Sequence, residues 1–403
     1  MLSMDNDTQL PPPIWIDTPK ALRAMVDRLR GEPALAIDTE SNSLYVYREQ
    51  LCLVQISVPG VDFLVDGLAV TDLGPLGSLL ADPAVCKVLH GAEYDLAMLH
   101  AHSRLAVVGL FDTMWASRIL GWQEHGLGAL IQAHFGVTLN KKYQRADWGL
   151  RPLPAEQLNY ARLDTHFLLP LSAIQSRALE EAGRWPQAEH RFSELCLTRW
   201  EDHAFDPDGF WRLPGVHELD DAGRGVLRRL WALRDRCAQA ENRPPFKILP
   251  NQALLALSEV RPMTLPELRR VRGMPQRWVG RYGQALLDAI QQGEGEPISW
   301  EDRSRPDHAP GSQARGRPTP ACQERFAALR AWRNARAEAG HVEPDIILSN
   351  HLLWAVAHRN PRQMADLGGD GLLAAWQVEE FGSELLVVVR GASSGRAARE
   401  KRT

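Results

Sequence analysis

Four acidic side chains and one tyrosine lie in or beside apolar runs of this 403-residue chain. They are Asp38 and Glu40 in ALAIDTE, Asp95 in VLHGAEYDLAML, and Tyr160 with Asp164 in NYARLDTHFLLPL. A carboxylate beside an apolar core costs several kcal/mol unless something compensates its charge. Acidic groups at such positions on separate elements predict a shared site for hard divalent ions, because Mg²⁺ and Mn²⁺ prefer oxygen ligands.

The elements that must position these acids can be predicted from the apolar pattern. Residues 33–38 have the apolar run of a short buried strand, and alternation along a strand places Asp38 and Glu40 on one face. Residues 85–89 predict a second buried strand, and a helix that starts about three residues further on has Asp95 in its first turn. The two segments therefore bring three carboxylates toward one place.

A predicted helix at 155–171 carries the tyrosine and the last acid. Tyr160 and Asp164 are four residues apart, so they lie on one helical face. Carboxylates that hold two metal ions about 4 Å apart can support phosphodiester cleavage. Tyr160 is suited to position the attacking water or to help deprotonate it. We interpret a fifth acid, Asp112, as a helix N-cap together with Thr113.

Further strands are predicted around the first one. Residues 51–57 and 61–66 flank a Pro-Gly turn and would continue an antiparallel start from 33–38. Residues 85–89 and 105–110 would add two more strands, with helices between them. The fold class predicted for this part of the chain is α/β, with a mixed sheet.

The acidic motifs carry a resemblance to a known family. Asp-x-Glu, a lone Asp and Tyr-x-x-x-Asp, in this order, resemble the three motifs of the DEDD exonucleases, and the tyrosine spacing resembles the DEDDy subgroup. The flanking segments are similar to ribonuclease D from about residue 13 to 290, and more weakly to 390. The segments that carry this similarity are 51–57, 111–121, 127–148 and 151–171.

The resemblance implies a ribonuclease H-like exonuclease domain and a 3′–5′ exoribonuclease activity. It implies two Mg²⁺ or Mn²⁺ ions held by the four carboxylates, release of nucleoside 5′-monophosphates, and RNA with a free 3′ hydroxyl as the partner. It also implies a role in tRNA 3′-end maturation. Two alternatives stay open at this point: a DNA-directed 3′–5′ exonuclease that uses the same acids, and an RNA-binding protein that does not cleave.

Charge divides the chain into regions of opposite sign. Residues 1–222, the predicted exonuclease domain, hold 18 Lys and Arg against 30 Asp and Glu. Residues 223–292 hold 13 against 5 and are predicted to be helical. This contrast favours cleavage in the first region and phosphate binding in the second. Residues 293–320 are interpreted as a flexible linker, and residues 391–403 as a disordered basic tail.

A helical module occurs twice, at a shift of 99 residues. Both copies resemble the HRDC domain, the small helical module of ribonuclease D and certain helicases. The copies span residues 223–292 and 321–390, and the second copy is divergent: PPFK at 244–247 becomes EPDI at 343–346. The sequence therefore leaves open whether the second copy contacts RNA or serves as a packing or protein-contact module. The repeat is carried by matched positions such as Ile248 and Ile347, Asn251 and Asn350, and Leu286 and Leu385.

Basic residues beside aromatic ones supply candidate RNA contacts. In NKKYQRADW, cations next to Tyr143 suit a nucleic-acid backbone and a stacked base, whereas Trp148 is interpreted as a core anchor. The alternative for this stretch is a solvated loop. The predicted RNA-binding residues are Lys141, Lys142, Gln144, Arg145, Arg243 and Lys247.

Composition predicts a large soluble intracellular protein. No run approaches the roughly 18 apolar residues of a membrane span. The five cysteines are far apart in sequence and form no CxxC pair, so we expect reduced thiols and a cytoplasmic location. No membrane partner is expected, and a monomer is favoured.

Overall fold

The computed structural model describes residues 10–200, 204–302 and 318–400, without the side chains of 393–400. An α/β domain comes first and contains one six-stranded sheet in the order β1-β4-β3-β2-β5-β6. The strands are β1 (Ile14–Ile16), β2 (Ala34–Ser41), β3 (Leu51–Val58), β4 (Val61–Asp66), β5 (Cys86–Leu89) and β6 (Leu110–Asp112).

The sheet is mixed, as predicted. β2, β3 and β4 form an antiparallel meander, which confirms the antiparallel start. β5 pairs with β2 in parallel, β6 pairs with β5 in parallel, and β1 pairs with β4 in parallel. β2 therefore lies inside the sheet, between β3 and β5, and both of its edges are hydrogen-bonded.

The predicted strand at 105–110 is wrong except at its last residue. Arg104 ends the preceding helix in the left-handed region, at φ 52°, and Gly109 has φ 71°. A Cβ at Gly109 would lie 3.1 Å from the Val85 carbonyl oxygen, so the chain crosses close to another backbone here. Only after this turn does the chain enter the sheet, at Leu110.

Eight helices accompany the sheet in the described part of the α/β domain. The predicted helix at 155–171 is two helices that meet at Phe167, because Pro170 has no N–H to bond to residue 166 and its ring would crowd that carbonyl. The helices are α1 (Pro19–Leu29), α2 (Gly77–Leu80), α3 (Glu93–Ser103), α4 (Thr113–Leu120), α5 (Leu127–Phe135), α6 (Ala155–His166), α7 (Leu168–Glu181) and α8 (Trp185–Leu195).

Two helical domains follow, and each has five described helices. A buried arginine repeats at the shift of 99: Arg234 donates to the Leu249 carbonyl and to Asn251 Oδ1, and Arg333 donates to the Leu348 carbonyl and to the matching asparagine. The shared network confirms the repeat. The helices are α9 (Asp221–Glu241), α10 (Pro245–Ile248), α11 (Asn251–Val260), α12 (Leu265–Arg270), α13 (Gln276–Glu294), α14 (Pro320–Gly340), α15 (Pro344–Ile347), α16 (Asn350–Arg359), α17 (Met364–Gly368) and α18 (Ala375–Glu400).

The structure moves two boundaries of the first helical domain. Phe210 and Trp211 pack in its core, although the sequence placed them before residue 223 in the exonuclease domain. Ile298 is also buried there, and its N–H donates to the Asp221 carbonyl, so the predicted linker begins after this residue. Nonlocal packing of single apolar side chains explains both shifts. Residues 303–317 of the linker lie outside the described residues.

The C-terminal segment also differs from its prediction. α18 continues to Glu400, so the predicted disorder is wrong for 391–400, while 401–403 lie outside the described residues. Alanine, arginine and glutamate are good helix formers, and here they extend a helix whose earlier turns are packed. Among the helices of the described chain, none combines the length and the apolar character needed to cross a membrane.

A buried ion pair lies between the sheet and α6. Arg162 on α6 is 2% exposed and its Nη2 lies 3.1 Å from Asp62 Oδ2 on β4. Asp62 also accepts from Ser57, at 2.7 Å, and contacts His166 Nδ1, at 3.1 Å. Burial alone would raise the pKa of Asp62, but the bonds from His166 and Ser57 and the Arg162 charge lower it below its usual range. The pair fixes the rotation of α6 about its own axis.

We expect Asp62→Asn to destabilise the fold by about 3–5 kcal/mol at neutral pH, because it leaves the Arg162 charge buried without its partner. Urea unfolding measures this. The difference from wild type shrinks as the pH falls below about 4, where the low-pKa carboxylate also becomes protonated. Asp17→Asn, at an exposed position, is the matched control and should change stability by less than about 0.5 kcal/mol. Equal unfolding of the two variants would contradict the role of the pair.

Candidate active site

A cleft of about 580 Å³ opens over the inner strand β2, and the predicted acids line it. Carboxylate oxygens of Asp38, Glu40 and Asp164 lie within 4.8 Å of one another, and all three side chains are half-buried. Asp95 lines the same cleft and is 6% exposed. The structure therefore brings together three of the four predicted ligands and places the fourth beside them.

Neighbouring polar groups fix the orientation of these carboxylates. Thr39, between the two acids of β2, donates to Asp95 Oδ1 at 2.5 Å. Gln55 on β3 donates to Asp38 Oδ2 at 3.3 Å. The first bond joins β2 to α3, and the second joins β3 to β2. These bonds fix the positions of Asp38 and Asp95 relative to each other.

Burial and mutual repulsion raise the pKa of every acid in the cluster. Burial raises the pKa of Glu40 to about 10, and the charges of Asp38, Asp164 and Asp95 add to the effect. Burial and the Asp95 charge raise the pKa of Asp164 to about 7. The pKa values of Asp38 and Asp95 are also raised, first by burial and then by a neighbouring carboxylate. A multivalent cation would relieve this repulsion, so the donor set fits divalent metal ions.

Asp112 has a second role that the sequence did not reveal. It caps α4 as predicted, since its Oδ1 accepts from Met114 and Trp115 N–H at 2.9 and 3.0 Å. Its carboxylate also accepts from the N–H groups of Gly91 and Ala92, at 3.1 and 2.7 Å, just before α3. One buried carboxylate thus ties the starts of α3 and α4 together, and α3 carries Asp95.

Tyr160 lies in the same cleft, one helical turn before Asp164. Its ring centroid lies 5.9 Å from that of Tyr143 and 6.1 Å from that of Trp148. Burial raises the pKa of its phenol, and the charges of Asp164 and Glu40 raise it further. The hydroxyl is therefore protonated at neutral pH, which favours positioning by a donated hydrogen bond over deprotonation of water.

The predicted RNA-binding residues of the 136–154 loop separate into different environments. Lys141 and Gln144 line the cleft with the acids. Lys142 pairs with Glu156 at 3.2 Å, outside the residues that line the cleft. Arg145 is exposed, and its carbonyl accepts from the Tyr45 hydroxyl at 2.6 Å. Only the first two therefore lie beside the acids.

The far end of the 136–154 loop is anchored to the sheet. Trp148 is 1% exposed and packs with core residues, as its interpretation as an anchor predicted. Arg151 donates to both oxygens of Asp66, at 2.8 and 2.6 Å, and to the carbonyls of Cys52, Trp148 and Leu150. This fork holds the loop at one end, while Lys141 and Gln144 are exposed at the other.

The first helical domain places Lys247 close to that loop. Its Nζ lies 3.9 Å from the centroid of the Tyr45 ring, and the Tyr45 hydroxyl bonds to Arg145. Arg243 is exposed near the same end of the domain, at the residue after the C-cap of α9. Tyr47 joins the two domains because its ring packs on the helical core and its hydroxyl donates to Asp235 at 2.8 Å.

Other side chains that line the cleft received no functional role from the sequence, and His90 and Tyr94 are among them. His90 contacts Thr113 Oγ1 at 2.9 Å, and burial lowers the pKa of its imidazole to about 4, so it is neutral at pH 7. Tyr94 is 43% exposed and bonds to Ser41 Oγ at 2.7 Å. The sequence did contain a signal for each of them. His90 follows the predicted strand at 85–89, and Tyr94 directly precedes Asp95. His166 bonds to Asp62, away from the cluster.

Known proteins share this arrangement. Residues 13–180 match the model of a 3′-5′ exonuclease family, and residues 224–290 and 323–389 each match the HRDC domain. The fold and the site thus define a 3′–5′ exonuclease with two HRDC domains. A ribonuclease D of Gluconacetobacter diazotrophicus is 32% identical over 391 residues, which are 94% of this chain and 94% of that protein. The chain belongs to the ribonuclease D family and is a 3′–5′ exoribonuclease.

Solved structures agree with this assignment. The catalytic core of RRP6 from Trypanosoma brucei is 30% identical, with a TM-score of 0.66 over 72% of this chain and 82% of that one. RNase D of Escherichia coli is 23% identical, with a TM-score of 0.65 over 94% of this chain and 99% of that one, and it has the same fold.

We expect Mg²⁺ to bind more tightly as the pH rises from 6.5 to 8. Metal must displace the protons that the raised pKa values of Glu40 and Asp164 retain, so apparent affinity should gain about tenfold per pH unit for each displaced proton. For the same reason the metal-free protein loses stability as the pH rises, because the folded state binds more protons than the unfolded state. The increase in melting temperature at fixed Mg²⁺ measures the first effect, and the melting temperature of the metal-free protein at each pH measures the second.

Asp17→Asn is the control for this titration and should follow wild type at every pH. Asp38→Asn removes a ligand and should reduce the metal-dependent increase in melting temperature. An increase that is equal at pH 6.5 and 8 would show that the raised pKa values do not govern the site.

Proposed function

We propose that this exoribonuclease depends on two divalent ions, Mg²⁺ or Mn²⁺, and trims the 3′ ends of tRNA precursors, releasing nucleoside 5′-monophosphates. The observation that carries the proposal is the cluster of half-buried carboxylates with raised pKa values at the floor of an open cleft. Asp38, Glu40 and Asp164 would hold the ions, with Asp95 completing the set. Bound there, the ions would supply positive charge to the phosphate and to the leaving 3′ oxygen.

The chain's own residues account for the remaining steps. The Tyr160 hydroxyl, protonated at neutral pH, donates a hydrogen bond that orients a water toward the terminal phosphorus. A new bond forms between this water oxygen and phosphorus, and the bond from phosphorus to the 3′ oxygen of the preceding nucleotide breaks. The water gives up one proton to solvent, and the leaving 3′ oxygen takes up one. The shortened RNA keeps a 3′ hydroxyl, and the last nucleotide leaves as its 5′-monophosphate.

The surroundings of the cleft favour an extended strand as substrate. Lys141 and Gln144 lie at the cleft, and Lys247 lies against Tyr45, whose hydroxyl bonds to the loop that carries them. Cations and rings along one path bind a nucleic-acid backbone without reading its sequence. Arg145 and Arg243 are exposed near this path, whereas the pairing of Lys142 with Glu156 leaves it a smaller part.

Family membership favours cleavage of RNA over the two alternatives, a DNA-directed exonuclease and an RNA-binding protein without activity. The tRNA substrate rests on the resemblance to ribonuclease D and on a basic helical domain beside the cleft. The E. coli relative is described as an exoribonuclease involved in structured RNA processing, which is consistent with this class of substrate. The monomeric state and the cytoplasmic location stay predictions.

A 3′-extended tRNA precursor tests the proposal. With Mn²⁺ we expect a ladder of products shortened by single nucleotides, and a chelator should stop it. Asp38→Asn should lower the rate of digestion at least about 10³-fold and so abolish the ladder, because it removes one proposed ligand of the cluster. Asp17→Asn should digest at the wild-type rate. A DNA oligomer of the same sequence, digested in parallel, tests whether the 2′ hydroxyl is recognised. Wild-type activity of Asp38→Asn would exclude the proposed site.

Tyr160→Phe tests the positioning role. The variant keeps the ring that packs near Trp148 and loses only the hydroxyl. We expect kcat to fall about 10²-fold with little change in KM, since general acid–base and orienting groups contribute about 10²–10⁴ to the rate. Single-turnover digestion of a 3′-labelled RNA separates the two constants. A changed KM with an unchanged kcat would assign Tyr160 to binding only.

A further inference from the structure

The second helical domain docks on the α/β domain through the turn that departs from the first repeat. At the shift of 99 residues, Phe246 and Lys247 of the first repeat correspond to Asp345 and Ile346 of the second. In the first repeat Phe246 is 50% exposed and the lysine lies against a tyrosine ring beside the cleft. In the second repeat, these positions are taken up by the domain interface.

Arg118 on α4 is the centre of this interface. Its Nε donates to Glu343 Oε2 at 2.7 Å, and its Nη2 donates to Asp345 Oδ2 at 2.8 Å. Only 18% of the Arg118 side chain is exposed. Ile346, at the place of the basic lysine, packs against the core of the α/β domain, and Arg184 donates to the Gly340 carbonyl at 3.2 Å.

A continuous set of contacts leads from this interface to the metal cluster. The Arg118 guanidinium lies 4.2 Å from the centroid of the Trp115 ring, and Arg191 lies over the same ring at 3.8 Å. The Trp115 indole N–H donates to Glu93 Oε1 at 2.9 Å. Glu93 is the first residue of α3, two residues before Asp95. Asp112 joins the same two helices, because it caps α4 and accepts from the N–H groups of Gly91 and Ala92 just before α3.

We propose that the second helical domain acts on catalysis from within the chain: its turn at 343–346 binds α4 and thereby positions the first turn of α3, and with it Asp95. Its partner is the α/β domain of the same chain rather than RNA. Arg118, Glu343 and Asp345 are positioning residues, because none of them touches the cleft. The inference rests on the proposed metal-dependent cleavage.

Charge supports this choice of partner. Glu343 and Asp345 would repel RNA phosphates, and Arg118 neutralises them on the α/β domain. The matching positions of the first repeat are prolines, a phenylalanine and a lysine, which suit a nucleic-acid strand. One repeated turn therefore serves two different partners, and the three of its four residues that differ between the repeats decide which.

The test uses the double variant Glu343→Arg with Asp345→Arg, which leaves the α/β domain unchanged. We expect kcat on a short single-stranded RNA to fall about tenfold, because small displacements of a catalytic group carry large losses in rate. KM and its salt dependence should stay within about twofold of wild type. Amide hydrogen exchange of residues 92–96 should become faster, and this readout does not depend on activity.

A charge swap provides the rescue. Arg118→Glu alone should reproduce the loss. The triple variant, which combines Arg118→Glu with Glu343→Arg and Asp345→Arg, should restore the ion pairs and return kcat to within about threefold of wild type. Arg330→Glu, at an exposed position of the same repeat, is the matched control and should leave kcat unchanged. Far-ultraviolet circular dichroism establishes that each variant is folded.

Three results would overturn the proposal. Wild-type kcat and wild-type exchange in the double variant would mean that docking does not reach Asp95. A lowered KM with a steeper salt dependence would assign the second helical domain to RNA, because the new arginines would then contact phosphates. A triple variant as slow as the double one would mean that the ion pairs are not the cause. Failure of wild-type protein to digest RNA with Mg²⁺ or Mn²⁺ would instead concern the proposed function, and the exchange experiment would still be informative.

Discussion

Repulsion among closely spaced carboxylates is the constraint on which this structure depends. Asp38, Glu40 and Asp164 have oxygens within 4.8 Å of one another, and all have raised pKa values. Side chains that repel one another separate unless their backbones are held. The molecule therefore needs rigid support under each acid.

Each supporting element uses a different interaction. β2 pairs with β5 just before its two acids, and Asp38 and Glu40 themselves pair with β3, so the sheet fixes their spacing. The buried Asp62–Arg162 pair sets the rotation of α6, which carries Tyr160 and Asp164. Asp112 holds the start of α3. Because these supports belong to the core, the carboxylate cluster inherits the stability of the sheet rather than that of surface loops.

Local periodicity was sufficient to predict the chemical centre. Alternation placed Asp38 and Glu40 on one face, and helical spacing placed Tyr160 with Asp164, because both patterns depend only on near neighbours along the chain. The motif order then supplied the family. The helix break at Phe167 was also local, since Pro170 explains it, but the prediction extended the helical spacing through it.

Long-range partners explain what the sequence could not show. The loss of Lys247 in the second repeat was visible, but Arg118, which binds the Glu343 and Asp345 of the changed turn, lies more than 200 residues earlier in the chain. Ile298 lies in a polar stretch that was predicted to be a linker, but its N–H bonds to the distant Asp221 carbonyl. Lys142 was predicted to contact RNA. The sequence did not show that Glu156, on the next helix, pairs with it. Such pairings have no periodic signal.

The asymmetric anchoring of the 136–154 loop has a consequence for what the enzyme can digest. Arg151 and Trp148 fix one end of the loop to the sheet, while Lys141 and Gln144 stand exposed at the cleft. Purines and pyrimidines differ in width, yet successive nucleotides must occupy the same place at every turnover. The two exposed side chains are long and rotatable, so they would fit beside either size of base while the phosphate stays over the carboxylates, and this wall would not select one base order.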